Sequence, residues 1–174
     1  MKKTKKFVSH QNDTFSGVSN FKQLSNQSQI SEIERTVQKA IDYYTNNQVN
    51  EALQLVQSIL NNNPDIAILY IIKGACLSSK KLYDQAIKQY ELALGITPKD
   101  GEIYYNLANT LVKKGQSDNL SLAVKYYLKS LEIQPNNIDS ANNLGLTYSY
   151  LGQLKNAIDC FNQSIHLNSQ NPIA

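Results

Sequence analysis

The chain has 174 residues, 41% of them hydrophobic, which suffices for one soluble domain with a buried core. Its formal charge of +3 rests on Lys2, Lys3, Lys5 and Lys6; without these four, 13 basic residues face 14 acidic ones. A near-neutral folded part excludes the basic stripe that neutralises a nucleic-acid backbone. The lysine-rich start runs into Phe-Val-Ser-His-Gln-Asn and lacks the apolar stretch of ~7 residues or more found in a secretory signal. The longest apolar run, 66–77, is broken by Lys73 and falls short of the ~20 residues that span a bilayer. No membrane partner is therefore expected. Cys76 and Cys160 lie far apart and in no metal-ligand spacing, so the expectation is a reducing cytoplasm with no metal and no cofactor.

In chain order, residues 1–30 are rich in Ser, Asn, Gln and Lys and read as a flexible polar segment, with Phe7, Phe15 and Phe21 as its apolar exceptions. Ser31 and Glu34 form a capping box, which places a helix start there. From that point the chain repeats itself. Ala52 recurs as Ala86, Pro64 as Pro98, Tyr70 as Tyr104 and Gly74 as Ala108, each 34 residues on. The offset then becomes 37, carrying Ala86 to Ala123, Pro98 to Pro135 and Ala108 to Gly145, which predicts a three-residue insertion near Ser117, Asp118 and Asn119, in a polar loop after Gly115. It returns to 34 with Ala123 and Ala157. Four units follow, 33–66, 67–100, 101–137 and 138–171, and 172–174 match the opening of a further one.

Each unit carries two stretches of helical periodicity around a short turn, marked by Asn46-Asn47, Gly115-Gln116 or Gly152-Gln153. In the third unit the helices are expected over 102–114 and 120–133, and Pro135 closes the pair because proline lacks the N–H that would continue it. Small residues let the paired helices approach: Gly74, Ala108 and Gly145 on the first helix, and Ala52, Ala86, Ala123 and Ala157 on the second. Tyr70, Tyr104, Leu77, Leu111 and Tyr148 are the expected fillers. A helix pair of this length cannot bury them alone, so the units must stack.

"YYNLANTLVKKGQ" followed by "LAVKYYLKSLEIQP", and "ANNLGLTYSYLGQLKNAIDCFNQSI", resemble the tetratricopeptide repeat family over about 31–171. The resemblance implies an all-α, right-handed superhelical solenoid of antiparallel helix pairs, with first helices lining a concave groove. Ser169 stands where the fourth proline belongs, and Thr36, Lys39 and Ala141 depart from the pattern elsewhere. On the groove the resemblance places Glu102, Tyr105, Asn106, Asn109 and Lys113 in the third unit, and Asp139, Asn142, Asn143 and Tyr150 in the fourth. Asn106 and Asn109 are three apart and share a helix face, and Asn143 repeats Asn106 at 37 residues. An amide side chain offers donors and an acceptor, and so suits the peptide groups of an extended chain. The arrangement is similar to the asparagine ladder in the repeats of O-linked N-acetylglucosamine transferases. It breaks at Ile72 and Gln38, and Ile68, Ile71 and Ile72 read as an apolar patch for a ligand side chain.

The expected function is therefore a protein-interaction scaffold that binds an extended peptide segment of another protein. A carboxylate clamp for acidic C-termini is not expected, since only Lys113 is basic in the groove. Catalysis is not expected either. His10 lies in the polar segment and His166 near the end of an outer helix, with no nucleophile-base pair or phosphate loop. The competing reading makes the repeats the substrate-recognition region of a larger glycosyltransferase, methyltransferase or sulfotransferase whose catalytic domain lies beyond Ala174. The last repeat has no polar capping helix, which leaves self-association through it as a further expectation.

Overall fold

The computed structural model describes residues 27–169, and among them eight helices and no strand. They run α1 (Gln27–Thr45), α2 (Val49–Leu60), α3 (Ala67–Ser79), α4 (Tyr83–Ile96), α5 (Gly101–Lys114), α6 (Ser117–Ile133), α7 (Ile138–Tyr150) and α8 (Leu154–Ser169). The period of the sequence is thus realised as four helix pairs. Each helix packs on its neighbours in the chain. In addition α1 touches α3, α3 touches α5 and α5 touches α7, whereas the second helices of adjacent pairs make no comparable contact. The first helices accordingly lie on the inside of a curve and the second helices on its outside, as a superhelical solenoid requires.

Two boundaries differ from the sequence expectation. α1 begins at Gln27, so Ser31 lies inside the helix and is not its cap. Nothing in Gln-Ser-Gln-Ile stops the helix from propagating upstream once its first turn has formed. The remainder of the polar segment, including the three phenylalanines, lies outside the described residues. The insertion at Ser117, Asp118 and Asn119 is not a loop but the first turn of α6. The turn itself needs only Gly115 and Gln116, both at positive φ (76° and 68°), and the Asn119 amide donates to the Gly115 carbonyl at 2.6 Å. Lys81 makes the corresponding turn of the second unit at φ 62° without glycine or asparagine.

Asp100 and Asn137, 37 residues apart, cap α5 and α7. Their side chains accept from the Glu102 N–H at 3.0 Å and the Ser140 N–H at 2.8 Å. Ala52, Ala86, Ala123 and Ala157 are all buried, as the close approach of paired helices demands. The largest fully buried rings sit on the second helices, although Tyr44 of α1 also joins the core. Tyr90 and Tyr127 are the largest fully buried side chains, while Tyr70 and Tyr104 are only half-buried, with Tyr104 donating to the Pro98 carbonyl. Tyr90 lies so close to Gly74 that a Cβ there would meet the ring at 2.8 Å, and Phe161 lies the same way against Gly145 at 2.7 Å. Buried apolar residues form two clusters, one from Val37 to Leu107 and one of Ala108, Leu111, Ala123, Tyr127 and Leu144; Ile87 and Tyr126 pack against both.

Candidate peptide-binding groove

The inner wall of the third and fourth units is built by α5 and α7. Tyr105, Asn109, Asn142 and Asn143 are half-buried on it, and Lys113 is exposed at its C-terminal end. Asn109 and Asn143 face each other across the repeat boundary. The Asn143 amide donates to Asn109 Oδ1 at 3.0 Å and lies 3.4 Å from the Tyr105 hydroxyl. The Tyr127 hydroxyl, arriving from α6, donates to the same Asn109 Oδ1. The rings of Tyr105 and Tyr127 are tilted at 58° with centroids 6.2 Å apart. Burial pushes the Tyr127 phenol well above its ordinary pKa, so it stays a donor at every physiological pH.

This network gives Asn109 of α5 and Asn143 of α7 a structural task. Asn109 Oδ1 and one Asn143 N–H join neighbouring repeats. The side-chain N–H groups of Asn109 and the Asn143 Oδ1 have no hydrogen-bond partner among the described residues. One donor pair and one acceptor thus remain on the wall, the complement of a peptide N–H and C=O.

Two of the expected groove residues are not available to a ligand. Asn106 is 5% exposed and its Nδ2 is buried without a hydrogen-bond partner among the described residues, because its place in the register turns it into the interior between repeats. Ile72, its counterpart 34 residues earlier, is fully buried in the first apolar cluster, and Ile71 is nearly so. Ile68 is half-buried and packs against the same cluster. The apolar patch of the second unit is therefore core more than groove. Lys113 is exposed by area, yet the surrounding protein desolvates its ammonium and lowers its pKa. The open area decides the matter, since water still reaches the charge.

The sequence reading missed Leu146, which is 37% exposed and stands 37 residues after Asn109. Tyr150, 37 residues after Lys113, is 58% exposed. The fourth unit thus adds an apolar step beside the amides. The register that pairs Asn106 with Asn143 would have found Leu146 as well. Among the described residues no group of three or more His, Cys, Asp or Glu is placed to hold a metal, and no helix is long and apolar enough to cross a membrane.

Comparison with known proteins agrees with this architecture. Models of the tetratricopeptide repeat match residues 79–115, 101–137 and 138–171, which together cover more than half of the chain. The protein ycf37 of Guillardia theta is 32% identical over 106 residues, 58% of either chain. The chain thus spans little more than half of that relative's length. It spans 18% of anaphase-promoting complex subunit 3 of Schizosaccharomyces pombe, at 20% identity over 72% of this chain. A probable UDP-N-acetylglucosamine–peptide N-acetylglucosaminyltransferase, SEC of Arabidopsis thaliana, is 32% identical over 49% of this chain, but only 8% of its own length is involved. Its transferase activity therefore does not carry over. Crystal structures of MamA superpose with a TM-score of 0.71 at 20% identity over 79% of both chains, and of MamA from Desulfovibrio magneticus with 0.70 at 21% over 79% of this chain and 76% of that one. At such identity they show the fold alone. The chain belongs to the tetratricopeptide repeat family, whose repeats serve as scaffolds for protein interaction.

Proposed function

We propose that the inner wall of α5 and α7 binds an extended segment of another protein, pairing with its main chain first and its side chains second. The observation that carries the reading is the half-used amide pair. Asn109 and Asn143 are fixed to each other and to Tyr127, yet keep donors and an acceptor for a ligand. A fixed amide loses little side-chain entropy on binding, which favours affinity from few contacts. Leu146 and Tyr150 offer an apolar step for one ligand side chain, and Lys113 sets the charge at the rim. In this reading the chain performs no chemistry of its own. A cytoplasmic setting goes with it, supported by two cysteines that are both unpaired.

A displayed library of unstructured peptides, selected on the immobilised chain, tests the reading. The selected peptides should bind Asn143→Ala and Leu146→Asp at least ten-fold more weakly (about 1.4 kcal/mol), with helical circular dichroism unchanged. Enrichment of no peptide, or binding undiminished in both variants, would remove the groove from consideration.

A further inference from the structure

The N-terminal rim of the inner wall holds a cavity of about 320 Å³, lined by Glu102, Gln134, Pro135, Asn136 and Asn137. It opens where α5 begins and where α6 hands the chain to α7. Glu102 stands two turns before Asn109 on the same face of α5. It is half-buried, and its Oε2 is fully buried.

Of the five lining residues only Glu102 ionises, so the cavity carries a single negative charge among amides and one apolar ring. The repeat shows that this charge is particular to the third unit. The counterpart of Glu102 in the second unit is Ile68, and the loop that answers to 134–137 is Thr97-Pro98-Lys99-Asp100, with a lysine where Asn136 stands. One unit later the apolar residue has become an acid and the loop has lost its base. Asp139 repeats the acid in the fourth unit but is exposed.

The helix ends favour a cation as well. α6, 17 residues long, stops at Ile133 directly before the cavity and has no basic residue in its last turn to answer its partial negative charge. The positive ends of α5 and α7 are answered by their own caps, Asp100 and Asn137. A cation that enters therefore meets a carboxylate already stripped of part of its water, where an ion pair gains more than on an open surface. A guanidinium suits the lining better than an ammonium. Its planar fork of donors can serve the Glu102 carboxylate and the Gln134 and Asn136 side-chain oxygens together, and its stem can lie on the Pro135 ring. Gln134 Oε1 receives the Asn137 amide at 3.4 Å and keeps a second lone pair.

We infer that this cavity binds the guanidinium of an arginine carried by the segment in the groove. Arginine as part of that segment rests on the peptide-binding reading above, whereas the cavity can be probed without any peptide. Seven residues of helix, about 10.5 Å, separate Glu102 from Asn109. An extended chain covers that span in about three residues, so the arginine stands within about three residues of the one paired to the amides.

Titration of the intact chain with N-acetylarginine amide, followed by backbone amide NMR, tests the site. Shifts should gather at Glu102, Gln134, Asn136 and Asn137, and N-acetylcitrulline amide, neutral and of the same shape, should bind about ten-fold more weakly. Glu102→Gln should bring the arginine probe down to the level of the citrulline one, with helical circular dichroism unchanged. Peptides selected on the chain should be rich in arginine, and exchanging that arginine for citrulline should weaken them about ten-fold on the parent but not on Glu102→Gln. No shift at these residues at tens of millimolar probe, equal binding of the two probes, or shifts that persist in Glu102→Gln would overturn the inference. So would selected peptides that depend on Asn143 yet show no preference for arginine, a result that leaves the groove standing. A library that yields no peptide removes the groove instead, and the probe titration then still decides the cavity.

Discussion

Exchanging Asn109 for leucine should destabilise the chain more than removing the Tyr127 hydroxyl that it holds, although both changes break the same hydrogen bond. The difference lies in what is left behind. Tyr127 is fully buried, so in Asn109→Leu its hydroxyl stays desolvated and loses its acceptor, at a cost of about 1–3 kcal/mol. In Tyr127→Phe the group left over is Asn109, which is half-buried, keeps its bond to Asn143 and can turn to water. That change should cost only about 0.5–1.5 kcal/mol. Leucine is a fair replacement in shape, because Leu146 fills the same register one repeat later. The double variant Asn109→Leu/Tyr127→Phe removes both partners and should recover about 1 kcal/mol of the sum of the two single losses. Urea denaturation followed by circular dichroism, with the slope held equal across variants, gives the four free energies of the cycle. Thermal midpoints should follow at roughly 2–4 °C per kcal/mol. A loss in Asn109→Leu no greater than in Tyr127→Phe, or a double variant that simply sums the two, would show that the amide does not anchor the tyrosine.

The cap of α5 offers a test by pH. Burial raises the Asp100 carboxyl above its ordinary pKa, so the folded chain holds that proton more tightly than the unfolded one. The associated stability is present at low pH and is lost as pH rises through the folded-state value. Asp100→Asn keeps the acceptor, as Asn137 does naturally, and should equal or exceed the parent at neutral pH with the advantage vanishing toward acid; Asp100→Ala should lose about 1 kcal/mol. Adding a methyl at Gly74 drives it into Tyr90, which is 2% exposed and held under the next repeat, for a net loss of about 1 kcal/mol after the gain in helix propensity. Gly145→Ala should be nearly neutral, since half-buried Phe161 can swing outward; equal melting shifts would contradict this contrast. Burial pushes the Cys76 thiol up to about 12, whereas Cys160 is half-buried, so Ellman's reagent should modify Cys160 in the native chain and reach Cys76 only on unfolding.

The helix pairs were legible because their marks are local and recur. Ala52, Ala86, Ala123 and Ala157 announce close helix contacts at fixed intervals, and every one is buried. The wall was half legible. Position in the repeat put Tyr105, Asn109, Asn142 and Asn143 on the inner helices, where they are half-buried, but it did not tell buried Asn106 from its neighbours. Whether a residue near the edge of a helix face meets ligand or interior depends on how far successive pairs rotate, a property of the stack and not of one repeat. The same uncertainty hid Leu146 and made Ile72 look like groove. The boundaries at Gln27 and Ser117 escaped for another reason. Sequence signals mark where a helix can start, and a polar stretch without proline or glycine can extend it by a turn at little cost.

The division of the core into two clusters joined by Ile87 and Tyr126 has a consequence for how the molecule breathes. Cluster one spans α1 to α5, while among its described residues α8 buries only Ala157 and Ser164 and reaches the second cluster only through half-buried Cys160. Opening in a linear stack begins where the fewest neighbours hold an element. Amide protons should therefore exchange with deuterium in a gradient along the chain, fastest in α8, slower through α6 and α7, and slowest in α3, whose residues are buried almost end to end. A partner seated at the far end would flatten that gradient from the outside inward.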